Sequence, residues 1–144
     1  MTADQPTSPA APTPAGIDLR DSPGLVPPRG HYSHVAVHGD VAYISGQLPL
    51  DPAGTPLADQ PFDTQVQQVL SNLDDCLITA GSSREQLLSV TVYVTDIGQW
   101  PAFDTAYASW IGTHRPTRAV ACVTDLHYGA AVEVQAVAAI APAR

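Results

Sequence analysis

The segment AAVEVQAV, residues 130–137, decides how this chain folds. Its valines alternate with Glu133 and Gln135, which is the period of a β-strand with one buried face. An ionised carboxylate in so apolar a run is costly to bury unless it has a partner or a chemical role. The only other glutamate, Glu85, lies in SSRE, residues 82–85, where the spacing is that of a helix-capping box. Glu133 is therefore the glutamate without a structural explanation.

Arg118 opens the apolar run that precedes this strand, and it is the natural counterpart of Glu133. The two side chains could form a structural ion pair that joins two strands. Alternatively, both could face a partly hydrated pocket, where an arginine holds a carboxylate through two parallel hydrogen bonds and a glutamate accepts a proton from water. Spacing alone leaves both interpretations open.

Working outward from residues 130–137, hydrophobic periodicity predicts the element order β-β-α-β-α-β-β. Apolar residues three and four positions apart predict a first helix that Asp63 or Thr64 caps, that ends near Ala80 and that Gly81 terminates. Aromatic residues at helical spacing predict a second helix over 101–111, with its aromatic stripe in the core. Strands are predicted at residues 32–37, 41–45, 88–95, 118–124 and 130–140.

This order predicts an α+β domain in which two right-handed crossovers place both helices on one face of a mixed sheet. The other face would be uncovered and partly apolar, which favours oligomerisation. Residues 1–29 hold seven of the 14 prolines and are predicted to form a flexible arm, although residues 17–26 have apolar side chains that could dock. Residues 30–144 are predicted to form the single domain.

Composition excludes several classes of function. The chain has 14 acidic and six basic residues, all six of them arginine, for a net charge of −8. The absence of lysine excludes lysine Schiff-base chemistry and a phosphate-binding loop with its lysine. Clustered positive charge is missing, so nucleic-acid binding is disfavoured. No apolar run is long enough to span a membrane, and no secretory signal is present, so a cytoplasmic location is expected.

Cysteine and histidine usage gives no sign of a metal centre. Cys76 and Cys122 are far apart in the sequence and are predicted to be small buried hydrophobic residues with reduced thiols. His34 and His38 would share a strand face but would lie about 13 Å apart, too far to bind one ion. His114 and His127 are expected to be solvated loop residues. No metal or organic cofactor is predicted.

Four stretches together resemble the RidA/YjgF/UK114 family of enamine/imine deaminases. They are HYSHVAVHGDVAYISGQLPLD (31–51), VYVTD (92–96), PTR (116–118) and VEVQAVA (132–138). The resemblance covers residues 30 to 141, with the right order and spacing. It implies a chorismate-mutase-like fold and a homotrimer in which three sheets form a central barrel with the helices outside. Ligand sites in this family lie in the clefts between subunits.

Site residues follow from the resemblance position by position. Arg118 matches the arginine that grips the substrate carboxylate, and Glu133 matches the glutamate that orients or activates the attacking water. Tyr32, Ser45 and Gly46 match residues that line the cleft. Val120 stands where many relatives have a cysteine whose backbone contacts the ligand.

Several positions depart from the family pattern. Asp104 stands where well-characterised deaminases have an asparagine, and a carboxylate there would repel an anionic substrate. His31 replaces a proline, Ala119 a serine, and the pair His127-Tyr128 a proline-lysine pair.

The leading hypothesis from the sequence is a hydrolytic deaminase that converts small 2-imino or enamine acids to 2-oxo acids and ammonia. One alternative is a pathway-dedicated relative that acts on a larger imine, enamine or carbonyl intermediate. Another is a non-catalytic trimer that binds ligands or partners.

Overall fold

A computed structural model describes residues 16–140, so residues 1–15 of the predicted arm lie outside the described residues. Six strands form one sheet in the order β1-β2-β3-β6-β4-β5. The strands are β1 (Ile17–Arg20), β2 (Val35–His38), β3 (Val41–Gln47), β4 (Leu87–Val94), β5 (Thr117–Cys122) and β6 (Val132–Ala139). The helices are α1 (Phe62–Ala80) and α2 (Trp100–Ile111), with single 3-10 turns at Arg84–Gln86, Ile97–Gln99 and His127–Gly129.

The last strand, β6, lies inside the sheet and joins its two halves. It pairs antiparallel with β3 on one side and with β4 on the other, and β4 pairs parallel with the edge strand β5. Helix α1 connects β3 to β4, and α2 connects β4 to β5. The predicted order and the mixed sheet are confirmed, and an additional N-terminal strand brings the count to six.

Both helices pack on the same face of the sheet, where they bury one continuous core. Val132 and Val134 of β6 are fully buried there, as the alternation in residues 130–137 predicts. The apolar stripe of α1 faces them, and its fully or nearly fully buried members are Val66, Val69, Leu70, Leu73, Cys76, Leu77 and Ala80. The opposite face of the sheet carries neither helix, and we call it the uncovered face.

The N-terminal part of the sheet begins earlier than the sequence predicts. Strand β1 pairs with β2 in register from Ile17 opposite His38 to Arg20 opposite Val35. The expectation that residues 17–26 dock is therefore confirmed for β1, and the sheet starts well before residue 30. A four-residue strand with the sequence IDLR has too little alternation to be recognised without its partner.

The ends of α1 show one correct and one wrong prediction. Gly81 adopts the left-handed conformation (φ 77°), and its N–H donates to the Ile78 carbonyl, as the stop signal predicts. At the other end Pro61 precedes the helix and no side chain caps it, so a cap by Asp63 or Thr64 is wrong. Asp63 lies instead in the first turn, where its charge interacts favourably with the helix dipole.

The capping box predicted at residues 82–85 is also wrong. A single turn does form at Arg84–Gln86, but its preceding residue, Ser83, makes no side-chain cap. Arg84 instead forms two hydrogen bonds with the Asp74 carboxylate, at 2.7 and 2.8 Å, and one with the Trp110 carbonyl. This contact joins the connection after α1 to the end of α2.

The two cysteines differ in burial. Cys76 is fully buried, as predicted, and burial raises the pKa of its thiol to about 12. Cys122 is exposed at the end of the edge strand β5, so the prediction that both are buried is wrong for it. Within residues 16–140, neither helix has the length and apolar character that crossing a membrane requires.

We expect Leu73→Ala to lower the free energy of unfolding by about 2–5 kcal/mol, because it leaves a cavity where α1 meets the sheet. Ile78→Ala is the matched control on the same helix, since Ile78 is 74% exposed and its truncation should cost about 0.5 kcal/mol or less. Urea denaturation followed by circular dichroism measures both. Equal losses in the two variants would contradict the assignment of the buried face of α1.

Candidate active site

A β-bulge in β3 shapes one part of the candidate site. Ile44 pairs with Ala136 and Gln47 with Val134, so Ser45 and Gly46 together oppose the single residue Gln135. The Ser45 hydroxyl donates a 2.6 Å hydrogen bond to the Ser33 carbonyl, which ties the bulge to the segment before β2. A β-bulge changes the direction in which nearby side chains point. Here the bulge brings the backbone of Gly46 towards β6.

Glu133 packs directly on Gly46. A Cβ atom at position 46 would overlap the Glu133 carboxylate and would lie 3.0 Å from its Cδ atom. Any residue larger than glycine would therefore displace the carboxylate or the bulge. The glycine in the sequence ISGQ is a steric requirement of this contact.

Glu133 is partly buried and has no ion pair or hydrogen bond with any residue in the range 16–140. It stands opposite Tyr93 of β4 on the uncovered face, since its neighbours Val132 and Val134 point to the core. Burial raises the pKa of the Glu133 carboxyl, and the nearby His127 partly offsets that rise. A carboxylate with a raised pKa and free oxygen atoms is suited to hold a water molecule and accept its proton.

Two hollows adjoin Gly46. Tyr32, Ser45 and Gly46 line an open groove of about 750 Å³ on the uncovered face, so three residues that the resemblance assigned to the cleft lie together. A second, half-enclosed cavity of about 230 Å³ has both polar and apolar walls, which include Tyr32, Gly46, His127 and Tyr128. Tyr128 adopts the left-handed conformation (φ 62°), which is strained for an aromatic residue.

Arg118 belongs to a different cluster. Its Nη1 atom donates a 2.9 Å hydrogen bond to Asp104 Oδ1, and the two form an ion pair. The guanidinium also lies 4.5 Å from the centre of the Trp100 ring and 4.8 Å from that of Tyr107. All three partners belong to α2, so Arg118 points to the helix-bearing face of the sheet.

Strand register supports this placement. Arg118 pairs with Val90, which is buried in the core, whereas Glu133 pairs with Tyr93. Directly opposed residues share a face, so the two charged side chains emerge on opposite faces, with β4 between their strands. The interpretation of Arg118 and Glu133 as an ion pair within one chain is therefore wrong. Val120, which pairs with Val92, lies on the helix-bearing face and is partly buried.

Three side chains near these groups were not assigned a site role from the sequence. His127 is exposed, as expected, but it also partly offsets the rise in the pKa of the Glu133 carboxyl. Trp100 and Tyr107 were assigned to the core alone, yet both rings contact the Arg118 guanidinium. Trp100, Asp104 and Tyr107 are spaced at i, i+4 and i+7, so they form one stripe along α2. This spacing is the sequence signal that could have indicated a cluster around Arg118.

His34 and His114 have structural roles. His34 is buried, and its Nδ1 atom accepts a hydrogen bond from the Ser22 N–H. The His114 Nε2 atom bonds the Leu87 carbonyl, so His114 is not a free loop residue. In the range 16–140 there is no group of three or more His, Cys, Asp or Glu side chains that could hold a metal ion.

Comparison with known proteins identifies relatives of the whole described domain. A family model described as endoribonuclease L-PSP matches residues 24–140. A RutC family protein of Sinorhizobium fredii is 36% identical over 84% of this chain and 94% of its own length. The 2-iminobutanoate/2-iminopropanoate deaminase of Capra hircus is 32% identical over 78% of this chain and 82% of its own length.

Solved structures show the same fold. A protein described as a putative endoribonuclease L-PSP from Entamoeba histolytica superimposes with a TM-score of 0.82 at 32% identity, covering 86% of this chain and 99% of that one. RidA from the Antarctic bacterium Psychrobacter sp. gives a TM-score of 0.79 at 26% identity, covering 85% and 98%.

We expect Glu133→Gln to gain stability relative to the parent protein as the pH rises. The folded-state pKa of Glu133 lies above its unfolded value, so the folded chain binds more protons between the two values and the parent loses stability on ionisation. The glutamine variant does not ionise at this position. Thermal denaturation of both proteins, from the usual glutamate pKa of about 4.3 to about three units above it, measures the difference.

Glu85→Gln is the control for that experiment, because Glu85 is exposed and is the only other glutamate. A pH-independent difference between Glu133→Gln and the parent would show that Glu133 is not desolvated.

Proposed function

Because this chain belongs to the RidA/YjgF/UK114 family, whose model is described as endoribonuclease L-PSP, we propose that it hydrolyses imines and enamines. The simplest substrates are small 2-imino acids, which would yield 2-oxo acids and ammonia. The observation that carries the proposal is Glu133, a partly buried carboxylate with a raised pKa and unoccupied oxygen atoms beside an open groove. A relative with 32% identity is named as a deaminase of 2-iminobutanoate and 2-iminopropanoate, which supports it.

In the proposed reaction, Glu133 orients a water molecule and takes one of its protons while the oxygen adds to the imine carbon. The C=N double bond becomes a C–N single bond, and the nitrogen takes up a proton. The carbinolamine then collapses to the 2-oxo acid, and the C–N bond breaks to release ammonia. An enamine first tautomerises to the imine. The imine is intrinsically reactive towards water, so positioning and modest base assistance are enough.

Arg118 would bind the substrate carboxylate in this scheme. Within one chain it lies on the opposite face of the sheet from Glu133, so one ligand can meet both residues only where two copies of the chain adjoin. Leu19 and Tyr43 are more than half exposed on the uncovered face, and covering them favours association. Both observations support an assembly with its sites between subunits, and the family resemblance implies that this assembly is a homotrimer.

The description endoribonuclease suggests RNA as a competing substrate, and the charge of the chain argues against it. The net charge is −8, and no lysine is present. Three of the six arginines, Arg20, Arg84 and Arg118, are already paired with aspartates. RNA binding relies on clustered unpaired positive charge, so a small molecule is the better substrate.

A second candidate is a larger imine, enamine or carbonyl intermediate. The half-enclosed cavity of about 230 Å³ opens beside Gly46 and could take a bulky substituent. His127 and Tyr128, which replace the usual family residues, line it. A panel of small and bulky imino acids distinguishes the two candidates, since preference for bulky ones would favour the second.

We expect Glu133→Gln and Arg118→Ala each to lower imine hydrolysis by about 100-fold or more, because each removes a group that positions or activates a reactant. A serine/threonine dehydratase generates the imine in the cuvette, and the appearance of the 2-oxo acid is followed with time. Glu85→Gln should retain the parent rate. If either site variant hydrolyses 2-iminobutanoate at the parent rate, its assigned role is wrong.

Mixed oligomers test the sharing of the site between subunits. We expect equal amounts of Arg118→Ala and Glu133→Gln chains, unfolded and refolded together, to regain about a quarter of the parent activity. In a random assembly, about a quarter of the shared sites receive an intact Arg118 from one chain and an intact Glu133 from its neighbour. The separately refolded variants are the control. Sites contained within one chain would give no recovery.

A further inference from the structure

The side chain of Arg118 is held in place before any ligand arrives. Trp100, Asp104 and Tyr107 occupy successive turns on one face of α2, and all three contact it. The guanidinium lies over both aromatic rings, and only 24% of the side chain is exposed. Arg118 therefore cannot easily turn towards a ligand, and a ligand has to approach it where Asp104 already lies.

Asp104 faces the same cavity as Arg118. A hollow of about 410 Å³, which we call the Arg118 cavity, is lined by Asp104, Tyr107, Arg118 and the exposed Arg115, among others. Asp104 is 49% exposed and occupies one guanidinium N–H group through its 2.9 Å bond. A substrate carboxylate would have to displace this aspartate or bind beside it, against the repulsion of a like charge.

Tyr107 also lines this cavity. It is 5% exposed, and its hydroxyl is a buried polar atom that has no hydrogen-bond partner among the described residues. Buried hydroxyl groups without a partner are uncommon, so packing within one chain leaves this group unsatisfied. The Arg118 cavity offers guanidinium donors and a carboxylate acceptor close together.

We propose that Asp104 is a specificity-determining residue that competes with a substrate carboxylate for Arg118. The site thereby accepts imines whose polar end is an uncharged amide at least as well as it accepts 2-imino acids. A carboxamide has a carbonyl that accepts from Arg118 and an N–H that donates to Asp104. Asp104 therefore does not weaken the binding of a carboxamide as it weakens that of a carboxylate. This inference rests on the proposed function, because it assigns a substrate class to the same site.

The test compares binding of two stable products, 2-oxobutanoate and 2-oxobutanamide, to the full-length protein by calorimetry. Asp104→Asn removes the charge and keeps an acceptor oxygen. We expect it to tighten 2-oxobutanoate binding on the order of tenfold, through loss of a like charge near the ligand. The affinity for 2-oxobutanamide should change by less than about twofold, because asparagine can still accept from the amide.

Two further variants make the result specific. Asp40→Asn removes the same charge from the exposed turn between β2 and β3, and it should leave the ratio of the two dissociation constants at the parent value. Asp104→Glu keeps the charge, so its ratio of the two dissociation constants should stay close to that of the parent. Thermal denaturation of each variant establishes that it is folded.

The outcomes separate this inference from the proposed function. The role of Asp104 is overturned if the ratio of the two dissociation constants is unchanged in Asp104→Asn, or if it changes equally in Asp40→Asn. In that case, hydrolysis of 2-iminobutanoate by the parent leaves the proposed function standing. If the parent and Asp104→Asn neither bind either product nor hydrolyse the imine, the proposed function fails, and the inference fails with it.

Discussion

The structure depends on the burial of one side of β6 between two partner strands. Because β6 pairs with both β3 and β4, its backbone hydrogen bonds are satisfied on both edges and it cannot shift by one residue without exposing its valines. Val132 and Val134 enter the core, and Glu133 between them must then face the other way. The position of the carboxylate is thus a consequence of core packing, and the bulge in β3 provides the space for it.

The same sheet separates the two halves of the candidate site. Glu133, Gly46 and Ser45 belong to the uncovered face and to the hollows beside it, whereas Arg118 and Asp104 lie against α2. Within one chain, the Glu133 carboxylate and the Arg118 guanidinium therefore cannot contact the same small molecule. Assembly would have a chemical role as well as a stabilising one, since it would complete the site.

Alternation in residues 130–137 was enough to predict which way Glu133 points, and the stripe of α1 was enough to predict the core. The partner of Arg118 could not be predicted, because it depends on the register between β4 and β5 and on the position of α2 over that edge. Strand β1 was missed because four residues with little alternation become a strand only beside β2. His127 is exposed as expected, but its proximity to Glu133 could not be predicted, because the neighbours of a loop residue are known only once the loop is folded. Burial patterns are local in sequence, whereas these contacts are not.

The unequal burial of the two cysteines gives the protein a single chemically addressable position. The Cys76 thiol, with a pKa of about 12, stays protonated and inaccessible at neutral pH, whereas Cys122 is exposed on an edge strand. A nitroxide reagent would accordingly attach once per chain without any engineered substitution. Dipolar spectroscopy on such a sample would report the spacing between equivalent edges in an assembly, and with it the symmetry of that assembly.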